Sequence, residues 1–160
     1  MNTVSKSREG EASLLRELRD RDSETGLLTS GRIYRALMSE VARTTRYGNP
    51  LSCVLVRVLG LATAGPDIRL QLANRLADSM RNTDYAGVWD DEEFLLVLPE
   101  TDDSGARRFV GKVESELSAL ASYLGAAHGV ALAIITRIAT WQEADDAAAI
   151  LRRLETKPRD

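Results

Sequence analysis

The stretch that most constrains the fold is Asp84-Tyr-Ala-Gly-Val-Trp-Asp-Asp-Glu-Glu-Phe-Leu-Leu-Val-Leu-Pro99. Two short apolar runs, Tyr85 to Trp89 and Phe94 to Leu98, flank four consecutive carboxylates. The runs read as strands of a hairpin, being short, rich in aromatic and aliphatic residues, and stopped by Pro99. Alternation puts Tyr85 and Phe94 in the core, and Trp89 and Trp141 read as packing residues. The turn is unusual, because adjacent acids repel and a tight turn ordinarily takes Gly, Asn or an isolated Asp. It reads either as a plain acidic loop or as a functional loop whose residues have been overwritten.

Elements of alternating type surround this hairpin. Met1 to Gly10 is polar, without an apolar period, and reads as disordered. Glu11 to Arg21 reads as a short helix with a narrow stripe of Leu14, Leu15 and Leu18, either docked on the domain or part of a coiled-coil stalk. A turn with Gly26 follows, and Ser30 is a fitting N-cap for an amphipathic helix over Arg32 to Arg46. Ile33, Leu37 and Val41 face inward there, with Tyr34 and Met38 beside them. Tyr47-Gly-Asn-Pro50 ends it. Leu51 to Leu59 is apolar and rich in β-branched residues, as expected of a central strand buried on both faces, with Arg57 the exception. Gly60 to Pro66 reads as a loop. Asp67 to Arg81 reads as a helix with Ile68, Leu72, Leu76 and Met80 in register. After the hairpin, Thr101 or Asp102 caps a helix to about Leu120, with Ala106, Phe109, Val110, Val113 and Leu117 inside. A β-rich run lies within His128 to Ala139, and Glu143 to Glu155 reads as a last helix. The order predicts an α+β fold, an α/β sandwich on the ferredoxin-like βαββαβ plan.

Composition excludes several classes. The chain has 160 residues, enough for one domain with its own core. A net charge of -3 and a pI near 5.3 argue against a general nucleic-acid binder. One cysteine, Cys53, allows no internal disulfide, and a reducing, cytoplasmic setting fits. No apolar stretch has membrane-spanning length, and no signal peptide is visible. One histidine, His128, placed in a Gly/Ala-rich turn, leaves a histidine triad or metal cluster without material.

Three segments, in order and at matching distances, resemble the GGDEF domains, the bacterial diguanylate cyclases and their inactive relatives. Asp22-Ser-Glu-Thr-Gly-Leu27 resembles the opening Asp-x-Leu-Thr-Gly-Leu, with Glu24 in place of the leucine. Arg43-Thr-Thr-Arg-Tyr-Gly-Asn-Pro-Leu-Ser52 resembles the helix end leading into the first strand. Arg81-Asn-Thr-Asp84, five residues, then Asp90-Asp-Glu-Glu-Phe94 and Leu-Leu-Val-Leu-Pro99 follow the signature hairpin. The resemblance covers most of the chain after Arg21. It implies a nucleotidyl-cyclase sheet, mainly antiparallel and flanked by helices. It divides the chain into residues 1–21, a start and linker helix, and residues 22–160, the domain.

Family chemistry joins two GTP molecules into cyclic di-GMP, and phosphoryl transfer of this kind needs a divalent metal held by carboxylates. The resemblance puts a metal-binding Asp where this chain has Arg57. It puts two glycines, which let backbone approach the nucleotide, where this chain has Asp90 and Asp91. Their charges repel a triphosphate by about 1 kcal/mol per nearby pair even at water-like dielectric. Glu92 and Glu93 keep the acids, and Phe94 closes the signature. The Phe-Lys-x-x-Asn-Asp stretch has no counterpart in Gly60 to Pro66, and the terminal Ala-Leu-Tyr-x-Ala-Lys helix with its Gly-Arg is not visible after Ile150. These departures imply lost cyclase activity, with no catalytic residue, no metal and no cofactor. A residual one-metal enzyme on Glu92 and Glu93 is the weakest alternative. Arg57 then reads as an internal partner of Glu92 or a neighbouring acid, worth roughly 3–5 kcal/mol if buried, against an alternative role on a nucleotide phosphate.

Arg81 and Asp84 match the family's Arg-x-x-Asp product site, which binds cyclic di-GMP. An arginine fork suits a phosphate or the O6/N7 edge of guanine, and a carboxylate accepts from guanine N–H groups. A further arginine is expected to join them, with Arg107 or Arg108 as candidates. The plain alternative is a surface ion pair worth about 0–1 kcal/mol. The resemblance therefore implies a cyclic di-GMP receptor in signal transduction, coupled to a protein partner or to a second copy through Leu14, Leu15 and Leu18. The other reading is a nucleotide-independent interaction or dimerisation scaffold using that same helix.

Overall fold

A computed structural model describes residues 2–155, side chains excepted at 2–6, 17 and 18. Its elements are α1 (Asn2–Asp20), α2 (Ser30–Tyr47), β1 (Leu51–Leu59), a 3₁₀ turn (Leu61–Thr63), α3 (Pro66–Asp78), β2 (Tyr85–Asp90), β3 (Glu93–Pro99), α4 (Asp103–His128), β4 (Ala133–Thr140) and α5 (Ala147–Glu155). The four strands form one antiparallel sheet in the order β2-β3-β1-β4, the expected α+β architecture.

Alternation along β1 and β3 divides the core in two. Val54, Val56, Val58, Phe94, Leu96 and Leu98 pack against α3 and α4. Cys53, Leu55, Leu95 and Val97 pack against α2 and α5. A side-chain period of two on an inner strand sends successive residues to opposite helical layers. Arg57 falls on the α2/α5 side, opposite Glu93 on β3 and Ile135 on β4. Gly87 brings β2 close to α2: a Cβ there would lie 2.6 Å from Ile33 Cβ.

The opening turn is built by Asp22. Its carboxylate accepts from the Thr25 backbone N–H at 2.9 Å and the Thr25 hydroxyl at 2.7 Å, and Gly26 takes the left-handed conformation. Leu28 then pairs with Gly87, adding a short parallel bridge to the sheet edge.

Several boundaries depart from the sequence expectations. The first helix begins at Asn2, so Asn2 to Gly10 is helical rather than disordered. That segment carries Lys6, Arg8 and Glu9, all good helix formers, and one Gly costs only about 1 kcal/mol. Met1 lies outside the described residues, as does the side chain of Leu18, while Leu14 and Leu15 are exposed. Thr29, not Ser30, caps α2, accepting from the Arg32 N–H. Met38 is exposed, because Ala36 and Glu40 take the neighbouring buried positions. The third helix stops at Asp78, short of Arg81. The fourth continues eight residues past Leu120, since Ala121 and Leu124 extend its buried stripe, and it ends at Gly129 in the left-handed region. His128 is thus its last helical residue. Asp145 and Asp146 organise the turn before α5, which delays that helix to Ala147. Both tryptophans pack beside the α2/α5 core, as expected.

Candidate functional site

Two candidate regions lie at opposite ends of β3. At its start, the hairpin does not hold four acids in one turn. Asp90 and Glu93 are paired across the strands, and only Asp91 and Glu92 form the turn. A register shift between Val88 and Asp90 accommodates Trp89. The acids are thus spread over the turn and the two strand ends, with the Asp90 and Glu92 carboxylates each accepting backbone hydrogen bonds. Glu92 Oε2 accepts from the backbone N–H of Gly60 at 2.8 Å and of Ala62 at 3.4 Å, and its carbonyl accepts from the Val58 N–H at 2.7 Å. Arg69, on α3, donates to the Asp91 carbonyl at 2.7 Å and lies 3.4 Å from Glu24. Both Arg69 contacts join the hairpin turn to the opening turn.

Of the acids expected to partner Arg57, Glu92 or a neighbour on the adjacent strand, Glu92 is engaged elsewhere. Backbone amides occupy the Glu92 carboxylate, and Arg57 faces Glu93 instead. Arg57 Nε is buried and has no hydrogen-bond partner. Leu55, Arg57, Glu93, Ile135, Arg137 and Glu155 line a narrow cavity of about 100 Å³ there. Burial pushes the Glu93 carboxyl above the ordinary range, Asp90 and Glu155 add to the rise, and Arg57 and Arg137 oppose it. Trp89 donates to Glu155 at 3.4 Å, and Arg137 donates to the Leu154 carbonyl at 3.1 Å, so α5 covers this end. Among the described residues no group of three or more His, Cys, Asp or Glu side chains stands together to hold a metal ion.

At the other end of β3, Arg81 and Asp84 meet directly. The Arg81 backbone N–H donates to Asp84 Oδ2 at 2.8 Å, Nε to Oδ2 at 3.3 Å and Nη2 to Oδ1 at 3.0 Å. Nη2 also donates to the Pro99 carbonyl at 3.1 Å and the Thr101 hydroxyl at 2.7 Å. The hydrogen bond with Asp84 raises the Arg81 pKa further, so this cation stays charged. The Asp84 side chain is 1% exposed and that of Arg81 57% exposed. The pair is therefore anchored on its carboxylate side and open on its guanidinium side.

This open side borders a cavity of about 580 Å³, lined among others by Arg81, Asp84, Glu100, Asp102, Arg108 and Lys112. Of the two arginines considered from sequence, Arg108 reaches the cavity, whereas Arg107 pairs with Asp103 at 2.7 Å. Lys112 was not anticipated. Its spacing of four from Arg108 on one helix puts both on one face, a signal legible in the sequence.

Residues 63–157 match the family model of the diguanylate cyclase GGDEF domain. No curated protein matches the chain. Among solved structures, the coiled coil and GGDEF domain of DgcB from Caulobacter crescentus in complex with c-di-GMP is similar, with a TM-score of 0.82 at 13% identity, covering 95% of this chain and 84% of that one. The DgcB GGDEF domain alone, also with c-di-GMP, gives 0.74 at 13% identity over 85% and 83%. Diguanylate cyclase SiaD from Pseudomonas aeruginosa, with its activator SiaC, gives 0.75 at 20% identity over 95% of this chain and 61% of that one. Because the family match spans more than half of the chain and the fold agrees, this chain belongs to the GGDEF domain family.

Proposed function

We propose that this chain is a GGDEF domain without cyclase activity that binds cyclic di-GMP at Arg81 and Asp84 as a signalling receptor. GGDEF domains are usually diguanylate cyclases, and related structures hold c-di-GMP. The observation that carries the receptor reading is the cavity of about 580 Å³ lined by Arg81, Arg108 and Lys112 together with Asp84, whose buried carboxylate holds Arg81. Three cations suit two phosphates, and Arg81, its Nε and Nη2 held by Asp84, turns the exposed remainder of its guanidinium to the cavity.

Loss of cyclase chemistry is supported by the other end of β3. A divalent cation needs gathered oxygen ligands. Here a guanidinium stands at the strand end, and backbone amides already occupy the Glu92 carboxylate. These residues do not fit a metal. Asp90 and Asp91 add negative charge where a triphosphate would approach. The test is GTP turnover with magnesium or manganese, run beside a thermal shift with cyclic di-GMP. The reading expects no cyclic product and a rise in melting temperature with ligand. Measurable product formation contradicts it.

A second reading, an interaction or dimerisation scaffold, is favoured by one observation: Leu14 and Leu15 of α1 are 58% and 54% exposed. It expects Leu14→Asp to dissolve a dimer and expects no response to the dinucleotide. Among the described residues no helix is long and apolar enough to cross a membrane.

A further inference from the structure

Glu100 links β3 to α4 with a φ of 52°, one of two non-glycine residues with positive φ among those described. A left-handed position normally takes Gly or Asn, and a Glu there is strained. The same residue lines the Arg81 cavity. Three carboxylates line it, and two of them are committed. Asp84 accepts from Arg81, and Asp102 caps α4 by accepting from the Gly105 N–H at 2.8 Å. Glu100 is committed to nothing within the cavity wall. Its one ion pair is with Arg43 on α2, at 3.5 Å, between side chains that are both more than half exposed. Its charge is felt at the Arg81 guanidinium.

We propose that Glu100 is a built-in acidic competitor that lowers the affinity of this cavity for anionic dinucleotides. This role of Glu100 rests on the cavity being a cyclic di-GMP site. A carboxylate that lines the cavity with Arg81, Arg108 and Lys112, and is held only by an exposed ion pair to Arg43, repels the ligand phosphates and attracts the cations that should hold them. It stands there at a backbone cost that a Gly would not incur. A single like-charge contact near a protein surface changes affinity by roughly tenfold, and salt weakens it.

The test is a titration of cyclic di-GMP into the full chain at low and high salt, using wild type, Glu100→Gln, Glu100→Gly and Arg81→Ala. Gln removes the charge and keeps the strained backbone; Gly removes both. The proposal expects both Glu100 variants to bind roughly tenfold tighter than wild type at low salt, with the gap narrowing at high salt. Gly alone should raise the melting temperature, by roughly 3 °C. Binding that appears only in the Glu100 variants, and is absent from Arg81→Ala, also supports it. Wild-type binding with equal or weaker binding by Glu100→Gln overturns the competitor role and leaves the cavity reading standing. No binding by any of the four overturns both.

Discussion

Arg57 and Arg81 stand beside the two ends of β3, each next to a carboxylate, and the surroundings treat them differently. Arg57 is half-buried, faces Glu93 across a cavity of about 100 Å³, and leaves its Nε without a partner. Arg81 is mostly exposed, makes five hydrogen bonds, and borders a cavity of about 580 Å³. The first arginine fills space near carboxylates and offers a ligand little room. The second is held by a buried carboxylate on one side and turned to an open volume on the other. An arginine beside an acid is thus not a site by itself; the room in front of it and the groups already using its donors decide.

The largest way to break this contrast is to open the closed end. Gly60 has a φ of 91°, and a Cβ there would lie 2.3 Å from the Ala131 carbonyl oxygen. Its N–H also holds Glu92. Gly60→Ala should cost about 3 kcal/mol or more, read as a lower urea midpoint at constant slope. A neutral result would mean that the Gly60–Glu92 corner is not rigid. At the open end, Arg81→Ala should weaken cyclic di-GMP binding by about 100-fold, as expected for losing a fork of charge-assisted bonds. It should also destabilise the fold by about 1–3 kcal/mol, because Asp84 stays buried with fewer partners.

Arg57 gives a smaller and more diagnostic effect. With Nε unpartnered and no ion pair to Glu92, Arg57→Met should be close to neutral, because the methylene stem is replaced by apolar volume. A loss of 3–5 kcal/mol, the cost of breaking a buried pair, would contradict the packing role. Glu93→Gln is the smallest. The Glu93 pKa is raised above its ordinary value of 4.5, so the folded state binds more protons than the unfolded state between the two values. Stability then falls as pH rises through that window. Glu93→Gln should therefore stabilise slightly at pH 7, by an amount solvent screening keeps small, and the gain should vanish at low pH, where Glu93 is protonated in both states. Melting curves at pH 4 and pH 7 check it; a loss at pH 7 would show that the Arg57 attraction outweighs burial.

The strands and the inward faces of the helices were legible because burial imposes a period. Ile33, Leu37 and Val41 repeat as a helix must, and Val54, Val56 and Val58 alternate as a strand must. Boundaries set by non-local contacts were not. The end of α4 packs on the returning chain at Gly125, where a Cβ would meet the Val130 carbonyl at 2.6 Å, a contact made only after the chain turns back. In the candidate site, Arg81 and Asp84 were readable as three-residue neighbours. Arg57's failure to meet Glu92 was not, because it depends on Gly60 and Ala62 amides claiming that carboxylate. Arg69, bridging Asp91 and Glu24, was equally hidden, since its partners lie 22 residues ahead and far behind in sequence. Glu100 carried no sequence signal for its positive φ.

The central claim, that the open end of β3 is a nucleotide site, is tested most directly by calorimetric titration of cyclic di-GMP into the purified full chain beside Arg81→Ala. The account predicts micromolar or tighter binding, about −8 kcal/mol or more favourable, that is lost in a variant still folded by circular dichroism. Absence of heat from folded wild type and folded Glu100→Gln alike, or equal binding by Arg81→Ala, would contradict it.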